Sequence, residues 1–185
     1  MALIVVSVVI SIGLSVLDLT LKQVRLSTNS KDSEIVFHAT NAGLECARYW
    51  LSRDSNGDGA VDIESGTNIS PTCFGVSSNP NPVIKTLPAA TGGGVANKYV
   101  MDFTWGTALD RCSKVTILTL VSNSSATTTV NSMTTVIPGY PTVPLNKKEC
   151  GPGGRCSVLS IQGFNRACSN LNLPGTLQRE VLLQL

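Results

Sequence analysis

MALIVVSVVISIGLSVL, residues 1–17, contains no charged side chain. As a helix rising ~1.5 Å per residue it spans ~25 Å, and continuing it to Leu21 matches the ~30 Å hydrocarbon thickness of a bilayer. Asp18 and Lys22 stand four apart in the favourable order, so the first charge is answered one turn later. A surface this apolar must be hidden in lipid or against copies of itself. Ser7, Ser11 and Ser15 recur at every fourth position and form a ridge of small side chains. Such ridges let helix backbones approach closely in lipid, and their hydroxyls can bond back to carbonyls. The expected helix-core set is Leu3, Val6, Ser7, Ile10, Ser11, Leu14, Ser15 and Leu17. The segment lacks the basic n-region and small-residue cleavage site of a secretory signal. It reads either as the mature end of a chain whose leader was removed or as an uncleaved anchor.

From Thr20 the pattern turns amphipathic. Val36, Ala39, Gly43, Cys46, Ala47 and Trp50 fall on one face at helical spacing. Lys31, Glu34, His38, Asn41, Glu45 and Arg48 fall on the other, and no proline precedes Pro71. One helix is predicted from Ala2 to Leu51, ~75 Å long. Residues 1–21 form its apolar membrane or filament-core half. Residues 22–51 form an amphipathic half packed on a head of residues 52–185.

The head is rich in Thr, Ser, Gly, Asn and Pro, a composition of strands and long loops. Tyr99, Met101, Phe103 and Trp105 make an apolar face at period two. Ser113–Val121, Arg155–Gly163 and Thr176–Leu185 are further strands, and Ala126–Ile137 reads as an exposed edge strand. Residues 53–97 and 138–154 read mainly as loop. Strands in succession without helices between them argue for an antiparallel sheet. The fold class is α+β: a long N-terminal helix packed as a stalk on an antiparallel, disulfide-stapled head.

Charged residues are 14% of the chain and the net charge is +2. That is not the basic footprint of a nucleic-acid reader, so no specific nucleic acid is expected. The six cysteines include no CxxC, and His38 is the single histidine, so zinc spacing is missing. Disulfides formed in an oxidising compartment fit better. Six cysteines allow 15 pairings; topology favours Cys46–Cys73, Cys150–Cys156 around GPGGR, and Cys112–Cys168. Asp54, Asn56, Asp58, Gly59 and Asp62 spell D-x-N-x-D-G-x-x-D, most of a calcium loop, with the Ala60 carbonyl as a further ligand. Ser65 replaces the bidentate glutamate at the last position, so any Ca2+ would bind weakly, at ~10⁻⁴–10⁻³ M. The same spacing serves as an Asx-rich turn that needs no ion. Asp102 and Asp110 are isolated carboxylates. No G-x-S-x-G, HExxH or P-loop occurs, and no enzyme is expected.

This combination resembles a type IV pilin or pilin-like protein. AGLECARYW (42–50) and SIQGFNRAC (160–168) followed by QREVLLQL (178–185) are similar to pilin-like proteins of small-genome candidate-phylum bacteria. The likeness covers residues 1–51 well and the last 30 loosely. It implies an N-methylated Met1, a helical spine and a structural role in an extracellular filament, a helical homopolymer serving adhesion, motility or uptake. Before assembly the subunit would sit in the inner membrane with the pilus assembly machinery; the finished fibre would meet a host or partner-cell surface. Pilins usually carry glutamate at the fifth position, where this chain has Val5. The alternatives are a minor pilin or pseudopilin of a secretion or DNA-uptake system, and a non-polymerising, membrane-anchored, calcium-dependent adhesin.

Overall fold

The computed structural model describes residues 2–54, 57, 59–78, 85–86, 93–143 and 146–185. The chain divides into two units, Met1–Glu34 and Ile35–Leu185. In the first, every described residue belongs to α1, the helix Ala2–Leu51. Ser11 Oγ donates to Ser7 O and Ser15 Oγ to Ser11 O, each at 2.9 Å, so the hydroxyls are satisfied within the helix. Lys22 Nζ lies 2.8 Å from Asp18 Oδ2. Both side chains are solvated, so the pair contributes a few tenths of a kcal/mol, about what exposed pairs on helices supply.

In the second unit the end of α1 lies on an antiparallel sheet. Small residues decide how closely it approaches. Ala39, Gly43, Cys46, Ala47 and Trp50 are buried, together with Val36. The residues opposite them on the helix are exposed. Within this unit burial on α1 begins at Ile35 and Val36.

After α1 come α2 (Asp62–Ser65), β1 (Thr72–Cys73), β2 (Val76–Ser77) and β3 (Lys85–Thr86). Then follow β4 (Val95–Trp105), β5 (Arg111–Val121), β6 (Thr128–Asn131), α3 (Met133–Val136), β7 (Lys147–Cys150), β8 (Arg155–Phe164) and β9 (Gln178–Gln184). Strands β3-β4-β5-β8-β9 form one antiparallel sheet in that order. Alternation divides its core. Tyr99, Met101, Phe103, Val115, Ile117, Leu159 and Ile161 meet Cys46, Ala47 and Trp50 on the α1 face. Ala96, Leu118, Leu120 and Val158 meet Val130, Met133, Ile137 and Tyr140 on the other.

Two expectations are corrected here. The strand expected over Ala126–Ile137 ends at Asn131, where Ser132 takes a left-handed φ of 56° and α3 begins. Met133 and Ile137 are both fully buried, and their spacing of four is helical, so one turn of helix seats both. The hairpin β6–β7 then covers the sheet instead of forming an exposed edge. Residues 53–97 also hold more than loop. Asn97 Nδ2 donates to Glu64 O at 2.9 Å and Thr119 Oγ1 to Ile63 O at 3.1 Å, which hold α2 against the sheet.

Gly163 on β8 lies close against the backbone of α1. A Cβ there would meet Thr40 and would lie 2.7 Å from the carbonyl oxygen of Val36. Those are helix backbone atoms that cannot swing aside. Gly163→Ala is expected to destabilise the second unit by about 2–3 kcal/mol, the cost of overpacking. Denaturant melts of the full chain in detergent would measure it.

Candidate functional site

The first candidate surface is the apolar half of α1. Ile4, Val6, Ile10, Leu14 and Leu17 are each more than half exposed, and so are Val5, Val9 and Ile12 between them. Apolar side chains therefore occupy the whole circumference, with Ser7, Ser11 and Ser15 as the polar interruption. The described part of α1 contains an 18-residue window of mean hydropathy 2.4, with no part of it buried. By length and composition it can cross a membrane. Met1 lies outside the described residues, as does the side chain of Leu3, both named in the sequence-based set. What this surface can do is physical: it can only be removed from water. Burying ten Val, Ile and Leu side chains between residues 4 and 17 stabilises the buried state by on the order of 20 kcal/mol gross.

The second candidate is the loop after α1. Asp54 Oδ1 accepts from the Gly57 N–H at 2.7 Å and Oδ2 from the Gly59 N–H at 2.8 Å, so the carboxylate organises its own turn. Asp62 begins α2 and is 1% exposed. Asn56 and Asp58 lie outside the described residues. Among the described residues no group of three His, Cys, Asp or Glu side chains could hold a metal ion.

Beside Asp62 sits Tyr99, whose hydroxyl donates to Thr67 O at 3.0 Å. Burial first, and the negative charge of Asp62 second, push its pKa up to about 12 from 10.0. The sign follows from linkage. Below pH 10 the phenol is neutral in both folded and unfolded chains. Between pH 10 and about 12 the unfolded chain ionises first, so stability falls with rising pH by about 2–3 kcal/mol. Tyr99→Phe is expected to remove that slope while losing the bond to Thr67. Urea melts on both sides of the window would read it.

Six cysteines make three disulfides: Cys46–Cys73, Cys112–Cys168 and Cys150–Cys156. The first ties α1 to the hairpin β1–β2, the second ties β5 to the turn before β9, and the third closes the GPGGR loop.

A groove of about 480 Å3 is lined by Val76, Ser77, Asp102, Thr104, Leu109 and Cys168. Asp102 Oδ2 is paired with Lys114 Nζ across the strands at 3.2 Å. Sequence reasoning missed this groove, because its walls come from β2, β4 and two turns far apart in the chain. Asp102 and Asp110 do not share it; Asp110 lies 3.8 Å from Arg111 Nε instead. His38 is exposed on α1. Compared with known proteins, the chain matches no family model, no curated protein and no solved structure.

Proposed function

We propose that the chain is a structural subunit of an extracellular, type IV pilin-like filament. The single observation that carries this reading is the exposed, charge-free and largely apolar surface of α1 between Ile4 and Leu17. Before assembly this segment is held in the membrane. On assembly, pilus-type machinery moves it out of lipid and the same side chains are reburied against those of other copies. The loss and gain nearly cancel, which makes the transfer reversible in principle and leaves no role for chemical catalysis. Val5 supplies no carboxylate, so registration between copies comes from apolar packing and from the close approach that Ser7, Ser11 and Ser15 permit. The disulfide-stapled sheet unit supports the reading, because a small Ser/Thr/Gly-rich domain outside the cell depends on such staples. Its outer surface would meet a host or partner cell.

Electron microscopy of sheared surface material tests the proposal. Fibres labelled by an antibody to this chain are expected, with mass spectrometry giving N-methylated Met1 at the native terminus. Chains found only as single membrane-bound subunits with an unmethylated terminus would overturn it.

A further inference from the structure

β9 is the last strand of the main sheet and is paired on one side only, with β8. Ser157 and Leu185 exchange two hydrogen bonds of 2.9 Å. The alternation of an antiparallel ladder then turns the peptide groups of Leu183 and Val181 towards β8, and those of Glu180, Leu182 and Gln184 away from it. Among the described residues these three make no backbone hydrogen bond on their outer side. Exposed edges are usually blunted by lysine, proline, a bulge or a covering loop. Here Lys148 Nζ donates to Gln184 Oε1 at 3.1 Å and brings a cation to the strand, whereas the charges of β9 itself do not guard the edge. Arg179 lies over the Phe37 ring at 4.9 Å, and Glu180 Oε1 accepts from Ser160 Oγ at 2.8 Å. The strand then runs on as Val-Leu-Leu-Gln-Leu without a charged side chain.

We propose that this edge pairs antiparallel with the same edge of a second copy, in a register centred on Leu182. The choice of occupant and register follows from the side chains. Centring the pair on Glu180 sets carboxylate against carboxylate, which destabilises. Centring it on Val181 sets the carboxylate against leucine. Centring it on Leu182 sets Leu182 against its own copy and Glu180 against Gln184, whose carboxamide oxygen holds the Lys148 ammonium, so carboxylate and cation come together across the pair. Glu180, Leu182 and Gln184 then each exchange two peptide hydrogen bonds with the opposite strand, and Val181 faces Leu183. The contact is isologous, closes at two copies, and is separate from the burial of α1.

The test uses the full chain in detergent micelles, where the apolar half of α1 is sheathed. Hydrogen exchange at the amides of Glu180, Leu182 and Gln184 is expected to slow about tenfold or more between dilute and concentrated protein, as free edge amides become protected. Light scattering should rise in step to two chains per micelle. Leu182→Pro removes an outward donor that β8 does not use, a substitution edge strands tolerate; it is expected to abolish both effects. Leu182→Ala keeps the donor and should retain them. Gln184→Pro serves as a second variant should Leu182→Pro fail to fold. Exchange at the three amides that is fast at every concentration overturns the proposal, as do two-chain micelles that survive either proline variant.

Discussion

Ile10→Asp is expected to reduce membrane insertion of the full chain by roughly a thousandfold and to abolish its incorporation into fibres. Ile10 lies midway along the exposed apolar run from Ile4 to Leu17 and is 56% exposed in the isolated chain. Exchanging isoleucine for aspartate at the centre of a spanning helix costs about 4 kcal/mol on insertion scales. No cationic side chain lies within a turn to answer it, and the nearest along α1 is Lys22, already paired with Asp18. The same charge would meet only apolar neighbours in a bundle of helices. Carbonate extraction reads the first effect and microscopy of surface fibres the second. Ser11→Ala, one residue on, is expected to leave insertion unchanged, because its hydroxyl is already spent on Ser7 O. Equal insertion of the Ile10→Asp chain and the wild type would show that the segment is held by something other than lipid.

Removing Cys112–Cys168, with both residues changed to serine, is expected to lower stability by about 4 kcal/mol. This bridge spans 56 residues, against 27 for Cys46–Cys73 and 6 for Cys150–Cys156. Loop-closure entropy grows with the logarithm of span, giving about 3.5 and 2 kcal/mol for the other two. Cys112 is fully buried within β5, so its loss also places a hydroxyl in an apolar position. Denaturation midpoints of the three double-serine chains should therefore fall in that order. A larger loss for Cys150–Cys156 would mean that packing around the buried Cys150, not chain entropy, governs the ranking.

Long-period features are readable in the sequence alone. α1 was legible because small and apolar residues recur at helical spacing from Val36 to Trp50, and because no proline interrupts it. β4 was legible from the alternation of Tyr99, Met101, Phe103 and Trp105. What was missed is short. α2, β1, β2 and β3 hold two to four residues each, too few for a period to register. Their positions are set by distant groups, such as Asn97 and Thr119 reaching to the carbonyls of α2. Met133 and Ile137 carried a helical signal inside a Thr-rich run, and strand propensity masked it. The apolar surface of the candidate site was evident from composition alone. The groove around Asp102 was not, since spatial neighbours from β2, β4 and the 165–169 turn share no local pattern.

Between Lys22 and Glu34, α1 carries mostly polar side chains. Ser27, Thr28, Asn29, Ser30, Asp32 and Ser33 are weak helix formers, together worth about 3 kcal/mol less than alanines. Thr28 Oγ1 even competes for backbone carbonyls, those of Val24 and Arg25. Pulled along its axis, the rod yields at this stretch first, gaining about 2 Å for every residue that passes from coiled to extended backbone.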